Sequence, residues 1–376
     1  MQSSRGSFCR RKETEDITRI LFRFPEDEID SVTITLGDVQ KCSEDIFLND
    51  SLIDFYFKYL TFFGYNDIND NDGTQYELPK NDVDAQDLEG LTASIKRTSV
   101  FTSFFYSKMF QTLKDYSNGN DILSILDMNN EKFSRLRGRL YNEVKRWTYG
   151  VDKSIFKKTC IFFPINQSCH WSFAVCCFVH ANEDIKETPP SGRIFTFDSL
   201  RGTHNSKIIA AVIRNYLNYE YETKIKRHFE HFERHSQIRV SMEEDDDDGF
   251  LPEIVQGFEK TKQIEDEELS LTVDQVIFNE QTLPDIVINV PQQTDAVNCG
   301  IHVLNNAKEF LRLYVEKYPD GIQDLDKFET TLQSTFGNLM FQSKDANNMR
   351  KTLKQQISTI EQQHKNLIEI KRRRKE

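Results

Sequence analysis

The stretch Cys160 to Val179 reads CIFFPINQSCHWSFAVCCFV. Its two apolar runs, CIFFPI and CHWSFAVCCFV, are short and crowded with Phe, Ile and Val, the pattern of β-strands buried on both faces. GRIFTFDSL, from Gly192 to Leu200, repeats the pattern one connection later. Strands hidden on both sides need covering layers, and the flanking sequence supplies them. Upstream, IFLNDSLIDFYFKYLTFFG sets apolar residues at 52, 55, 56, 59, 60 and 63 on one helical face, with Asn49 or Asp50 to cap its start and Gly64 to end it. Two further helical patterns, around Phe101 to Leu113 and Glu131 to Trp147, are divided by the breaker SNGND. Downstream, KIIAAVIRNYLNYEY aligns Ile209, Val212, Ile213, Tyr216 and Leu217, DIVINVP returns to strand character, and CGIHVLNNAKEFLRLYVEKY is a strongly patterned helix. Nearer the start, VTITLGDVQ alternates Val32, Ile34 and Leu36 with Thr, Thr and Gly, as a half-exposed strand does. The fold class is therefore α+β: a central mixed or antiparallel sheet flanked by helices, the helix from Cys299 running through the core, and a helical lobe over about 47–150.

The chain has 376 residues, 38% of them hydrophobic and 12% aromatic, enough for a large core and incompatible with wholesale disorder. Its 48 Lys and Arg against 60 Asp and Glu give a net charge of −12, so direct nucleic-acid binding would need a local basic patch and is not expected. No apolar run approaches the ~20 residues of a membrane span, so a soluble protein without membrane contact is expected. The start, MQSSRGSFCRRKETED, has no apolar core of a secretory signal. Seven cysteines lack framework spacing, and five of them (Cys42, Cys160, Cys169, Cys176 and Cys177) sit beside or within apolar stretches, like buried thiols in a reducing intracellular compartment.

Residues 1–18 read as a flexible basic tail, 19–343 as the folded domain, and 344–376 as a helical, basic tail whose apolar heptad spacing is too short to define a coiled coil. The domain is interrupted at 241–282 by an acidic insertion, EEDDDDGFLPE and then IEDEELS, because a like-charge block repels itself and buries little. The runs RRK near the start and KRRRK near the end read as nuclear signals, although such runs also serve simply as solvated ends.

Cys299 stands between a strand ending in VP and the first turn of a helix, where backbone N–H groups and the helix dipole stabilise a thiolate. A lone cysteine is more often structural, so its partners decide the matter. A thiolate enzyme needs a base to share the proton and an acid to orient that base. His170 heads one buried strand and Asp198 ends the next, where neighbouring strand ends can meet; the plainer readings are a core histidine and a turn or capping aspartate. His302, three residues after Cys299, is a rival base but has no separate element to orient it. Gln293 could add a side-chain N–H to the Cys299 backbone N–H as a two-donor oxyanion hole. Cys169, His170, Cys176, Cys177 and His180 cluster in sequence, but without a C-x-x-C pair and with alternate positions facing opposite sides of a strand they make a poor zinc site.

The order HW, FDSLRG and VPQQTDAVNCGIHVL resembles the Ulp/SENP cysteine proteases, which process and remove SUMO-type ubiquitin-like modifiers. The likeness extends through FLNDSLIDFYFKYL, RTSVFTSFFYSKM and RWTYGVDKSIFKKTCIFFPIN, spans roughly Ile20 to Tyr318, and looks most like the large chain-editing branch of that family. It implies a papain-like or adenain-like cysteine protease fold over 19–343, acting without metal or organic cofactor, as a monomer, on SUMO or SUMO-conjugated proteins. It implies His170 as base, Asp198 as its orienting acid, Cys299 as nucleophile and Gln293 as oxyanion glutamine. Trp171 then matches the aromatic over a tunnel that admits only a diglycine tail. Three positions depart from the family pattern. The residue before the nucleophile is Asn298 instead of Asp, the usual Asn four before it is Asp295, and the tunnel's second aromatic is Phe47 instead of Trp. Alternative readings are the same chemistry on NEDD8 or ubiquitin, and a catalytically idle SUMO-binding scaffold.

Overall fold

A computed structural model describes residues 16–26, 31–64, 95–127, 129–148, 155–179, 190–226, 271 and 276–373. In chain order these form β1 (Ile20–Phe24), β2 (Val32–Thr35), α1 (Leu36–Gln40), α2 (Asp50–Phe63), β3 (Thr98–Val100), α3 (Ser103–Tyr116), α4 (Ile122–Leu126) and α5 (Ser134–Val144). There follow β4 (Cys160–Gln167), β5 (His170–Phe178), β6 (Gly192–Phe197), α6 (Ser206–Tyr221), β7 (Asp285–Ile288), α7 (Cys299–Lys317), α8 (Leu325–Gly337) and α9 (Ser343–Arg373). The expected α+β class is what the chain adopts, around a mixed sheet.

That sheet has five strands in the order β3-β4-β5-β6-β7. The central pairs β4–β5 and β5–β6 are antiparallel, while the outer strands β3 and β7 run parallel to their neighbours. Every residue of β5 is buried, as the apolar run Phe173 to Phe178 required, with the polar His170 and Ser172 buried beside it. Alternation along the strand divides those residues between two cores: Phe173, Val175 and Cys177 face one, Ala174, Cys176 and Phe178 the other. The first core is closed by α2, α7, α8 and α9, and the second by α3, α4, α5 and α6. Rings interlock across the first, where Phe173 stacks on Phe197 with centroids 4.5 Å apart, and each buried Phe there contributes roughly 1.5–3 kcal/mol.

This division corrects the helical lobe drawn over 47–150. Helix α2 belongs with the helix of Cys299, whereas α3 to α5 lie across the sheet in the other core, because β3 joins the sheet edge between them. A second correction concerns VTITLGDVQ. The strand stops at Thr35, whose side chain accepts from Asp38 N while the Asp38 carboxylate accepts from Thr35 N, a capping box that turns Leu36 into the first residue of α1. Two boundaries also shift. Ala346, Met349, Leu353, Ile357 and Ile360 of α9 are buried in the first core, so the segment that reads as a tail is part of the folded unit. Leu271 and Phe278, inside the span read as an acidic insertion, are buried in the second core, Phe278 stacked on Phe156 at 5.6 Å; residues 241–270 lie outside the described residues, as do 1–15. Among the described residues, no helix is long and apolar enough to cross a membrane.

Candidate active site

The β4–β5 hairpin sets the position of His170. Gln167 pairs with His170, leaving Ser168 and Cys169 alone in the turn, at φ 54° and 60°. Two successive left-handed residues make a type I′ turn, whose twist matches that of the flanking strands. His170 thus becomes the first residue of β5 and is buried, while Cys169 at the turn is exposed. Cys42, Cys160, Cys176 and Cys177 are buried as expected; Cys169 is not, because it occupies the turn and not the strand.

Asp198 directly follows β6, the neighbour of β5, and its Oδ1 lies 2.6 Å from His170 Nε2. The carboxylate can only accept, so Nε2 carries the proton and Nδ1 is left for Cys299, whose side chain is the other hydrogen-bond partner of the ring. Burial works against a charged imidazole here, but the hydrogen bonds and charges of Asp198 and Cys299 outweigh it and lift the His170 pKa to about 9. Burial likewise acts to raise the Asp198 pKa, yet the bond from His170 and the Leu200 backbone N–H at 2.9 Å bring it below the ordinary carboxylate value. Cys299 is the first residue of α7 and only 1% exposed. Its neighbour Gly300 allows a close approach: a Cβ there would lie 3.1 Å from Leu48 Cβ.

Gln293 is held by the same loop that carries Asp198. Its backbone N–H donates to Ser199 O at 2.8 Å and its Oε1 accepts from Ser199 Oγ at 2.8 Å. Its Nε2 donates one hydrogen to Asp295 O at 2.8 Å, and a primary amide carries a second. Gln292 adds a further stitch, donating through Nε2 to Asp198 O at 3.1 Å. Trp171 is buried and donates its indole N–H to Leu48 O at 3.1 Å, which ties it to the segment bearing Phe47; Phe47 itself is 47% exposed. Asp295 and Asn298, two of the departures from the family pattern, hydrogen-bond each other at 2.9 Å.

His302 is turned elsewhere. It is buried, its ring stands edge-on to Phe341 with centroids 4.8 Å apart, and burial first, against the nearby Asp295 charge, lowers its pKa. The structure therefore brings His170, and not His302, to Asp198. The Cys and His residues that cluster in sequence, read there as a poor zinc site, are separated: Cys176 and Cys177 face opposite cores, Cys177 lies against Cys160 with sulfurs 3.7 Å apart, Cys169 is exposed, and His180 is outside the described residues. Among the described residues, His170, Asp198 and His204 form a cluster of possible metal ligands, but its facing donors are engaged in hydrogen bonds to protein groups.

His204 is a member of the site that the sequence reading did not single out. Its Nε2 donates to Gln167 O at 3.0 Å, so its Nδ1 accepts from Ser172 Oγ at 2.6 Å, and burial first holds the ring below the usual histidine pKa. The neutral ring then packs edge-on against His170 at 4.8 Å and fixes its plane. The only hint in sequence is its place after FDSLRG, since both of its partners come from the β4–β5 hairpin.

Residues 85–248 match the Ulp1 protease family, C-terminal catalytic domain; the matched segment includes His170 and Asp198 and ends before Gln293 and Cys299. The chain is 27% identical over 198 residues to Sentrin-specific protease 7 of Rattus norvegicus, covering 53% of this chain and 15% of that protein. It is 25% identical over 295 residues to Probable ubiquitin-like-specific protease 2B of Arabidopsis thaliana, covering 77% of this chain and 22% of that one. These matches span less than a quarter of the length of either relative. A crystal structure of a de-sumoylating protease aligns over 94% of this chain and 95% of its own, at 18% identity and a TM-score of 0.49.

Proposed function

We propose that this chain, whose residues 85–248 match the Ulp1 protease family, C-terminal catalytic domain, is a cysteine isopeptidase that releases a SUMO-type modifier from lysine. The observation that carries this reading is the bond of 2.6 Å between His170 Nε2 and Asp198, with Cys299 as the other partner of the ring. The names of the sentrin-specific and ubiquitin-like-specific relatives support the choice of modifier.

In this reading the Cys299 thiolate attacks the carbonyl carbon of the modifier's terminal Gly, and the tetrahedral oxyanion takes hydrogen bonds from the Cys299 backbone N–H and the second Nε2 hydrogen of Gln293. Collapse breaks the C–N bond as the His170 imidazolium returns its proton to the departing lysine amine. Water then attacks the thioester, with His170 as base, and frees the modifier and the thiol. Asp198 holds the ring and its charge throughout. Trp171 and Phe47 cover the passage of the diglycine tail, and side chains larger than Gly are excluded there. Poly-SUMO chains are included among the substrates, and the terminal basic runs direct the protein to the nucleus.

The test is hydrolysis of isopeptide-linked SUMO, NEDD8 and ubiquitin substrates, single and chained, by the parent and by Cys299→Ala. Cleavage of SUMO conjugates alone, lost by at least ~10³-fold in the variant, is expected. Cleavage of ubiquitin or NEDD8 but not SUMO, or cleavage that survives in Cys299→Ala, would refute the proposal.

A further inference from the structure

We propose that Arg350, on the C-terminal helix α9, is a positioning residue for the nucleophile, acting through Asn298 and Asp295 on the loop backbone that leads into the Cys299 backbone N–H. Arg350 is 2% exposed, although a buried guanidinium is tolerated only where its donors find acceptors. It finds them on the nucleophile loop and on the segment that follows α1. Its Nε and Nη2 donate to Asn298 Oδ1 at 3.1 and 2.9 Å, and its Nη1 donates to Ser43 O at 2.8 Å and Lys41 O at 3.3 Å.

Asn298 is the N-cap of α7, where an Asn side chain ordinarily accepts an N–H from the first helical turn. Here it makes no such capping bond, because Oδ1 is taken by Arg350. The other end of the same amide, Nδ2, donates to Asp295 Oδ2 at 2.9 Å. Asp295 Oδ1 in turn accepts the backbone N–H groups of Val297 and Asn298 at 2.9 and 2.8 Å. The sequence of bonds from Arg350 to Asn298 to Asp295 and back to the loop backbone fixes the 296–297 and 297–298 peptides and the side chain of Asn298, the residue from which the peptide bearing the Cys299 N–H departs. An oxyanion-hole donor works only from a fixed position, and a shift of about 1 Å in a reacting group can cost as much as ~10²-fold in rate. A helix more than forty residues beyond the nucleophile thus sets the geometry of the reaction without touching substrate.

The inference rests on Cys299 as the reactive thiol, so its test reads that thiol directly as well as turnover. Arg350→Met keeps the volume and removes the donors. In the variant that remains folded we expect kcat to fall about ten-fold or more, KM to change by less than about two-fold, and Cys299 alkylation by iodoacetamide to slow. A lower Tm with kcat and alkylation unchanged would make Arg350 a packing residue only and overturn the inference.

A second set of variants retains Arg350 and decides the matter if Arg350→Met does not fold. Asn298→Asp turns a carboxylate oxygen toward Asp295 Oδ2 and should impair both readouts. Adding Asp295→Asn restores every bond in the sequence: the new amide donates to the carboxylate at 298, that carboxylate accepts from Arg350, and the amide oxygen still accepts the two backbone N–H groups. Recovery of kcat and alkylation to within about three-fold of the parent is expected for the double variant. A folded double variant no better than Asn298→Asp would refute the relay. Alkylation needs no protein substrate, so failure of the SUMO assignment leaves this arm readable.

Discussion

His170 and Asp198 illustrate how the single-residue scale couples fold to chemistry. The His170 pKa lies at about 9 against an ordinary 6.5, so the bond to Asp198 contributes stability in full below about pH 6.5 and loses it as the pH rises through about 9. In the proposed mechanism the same proton is returned to the lysine amine, so kcat/KM should decline on an alkaline limb near pH 9. Asp198→Asn removes the charge that sustains the imidazolium. We therefore expect its alkaline limb to move to lower pH and its kcat to fall by roughly 10²-fold to 10⁴-fold, read from pH–rate profiles; an unmoved limb would separate Asp198 from the titration of His170. The residues proposed for the chemistry were legible in the sequence, since Cys299 announces itself by its helix start and His170 and Asp198 by their strand ends, and the structure brings them together. His204 and Arg350 were not legible: the first acquires its role from a hairpin more than thirty residues away in sequence and the second from a loop about fifty residues away, and neither carries a local signal.

The elements of the fold were legible where burial is uniform and misread where a polar residue redirects the chain. β5 is an example of the first, with its apolar run Phe173 to Phe178 hidden between two cores. Thr35 and Asp38 are an example of the second, since their capping box converts an apparent strand into a helix start. The assignment of α2 and α3 to one lobe failed because periodicity shows that a helix has an apolar face but not which side of the sheet that face covers. What connects those two helices across the sheet edge is polar. Asp54 on α2 accepts the Ser103 backbone N–H at 2.8 Å and the Ser103 hydroxyl at 3.1 Å, at the first residue of α3. Burial, despite these bonds, pushes the Asp54 pKa up to about 7 from 3.8. A carboxyl whose folded pKa is raised stabilises most when protonated, and that contribution is lost as the pH climbs from about 4 through about 7. Asp54→Asn keeps the shape and removes the ionisation. Its Tm should exceed that of the parent at pH 8 by roughly several degrees and approach it at pH 5, measured by thermal melts; a constant difference across that range would contradict the buried-carboxyl account.

At the scale of the whole molecule, the two cores depend on segments that the sequence placed outside them. Removing 344–376 would strip Ala346, Met349, Leu353, Ile357 and Ile360 from the core that contains Cys299. Deleting a single large core side chain costs about 2–5 kcal/mol, and a domain's whole stability is about 5–15 kcal/mol. The truncated chain should therefore lose its cooperative thermal transition and not merely a tail; a folded, active truncation would show that α9 is an appendage. The sheet, its buried strands and the helix through the core were thus readable from periodicity, while the packing of α9 was not, because its mixed heptad pattern is shared by exposed and buried helices alike. The central claim is that Cys299, with His170 and Asp198, forms a thiol centre selective for the C-terminus of SUMO. Its most direct test is to incubate the protein with SUMO, ubiquitin and NEDD8, each ending in a C-terminal alkyne electrophile, and to map any adduct by mass spectrometry. The account predicts one SUMO adduct on Cys299, absent in Cys299→Ala and strongly slowed in His170→Ala. A SUMO adduct mapped to the exposed Cys169, or no SUMO adduct on Cys299 of the folded protein, would contradict it.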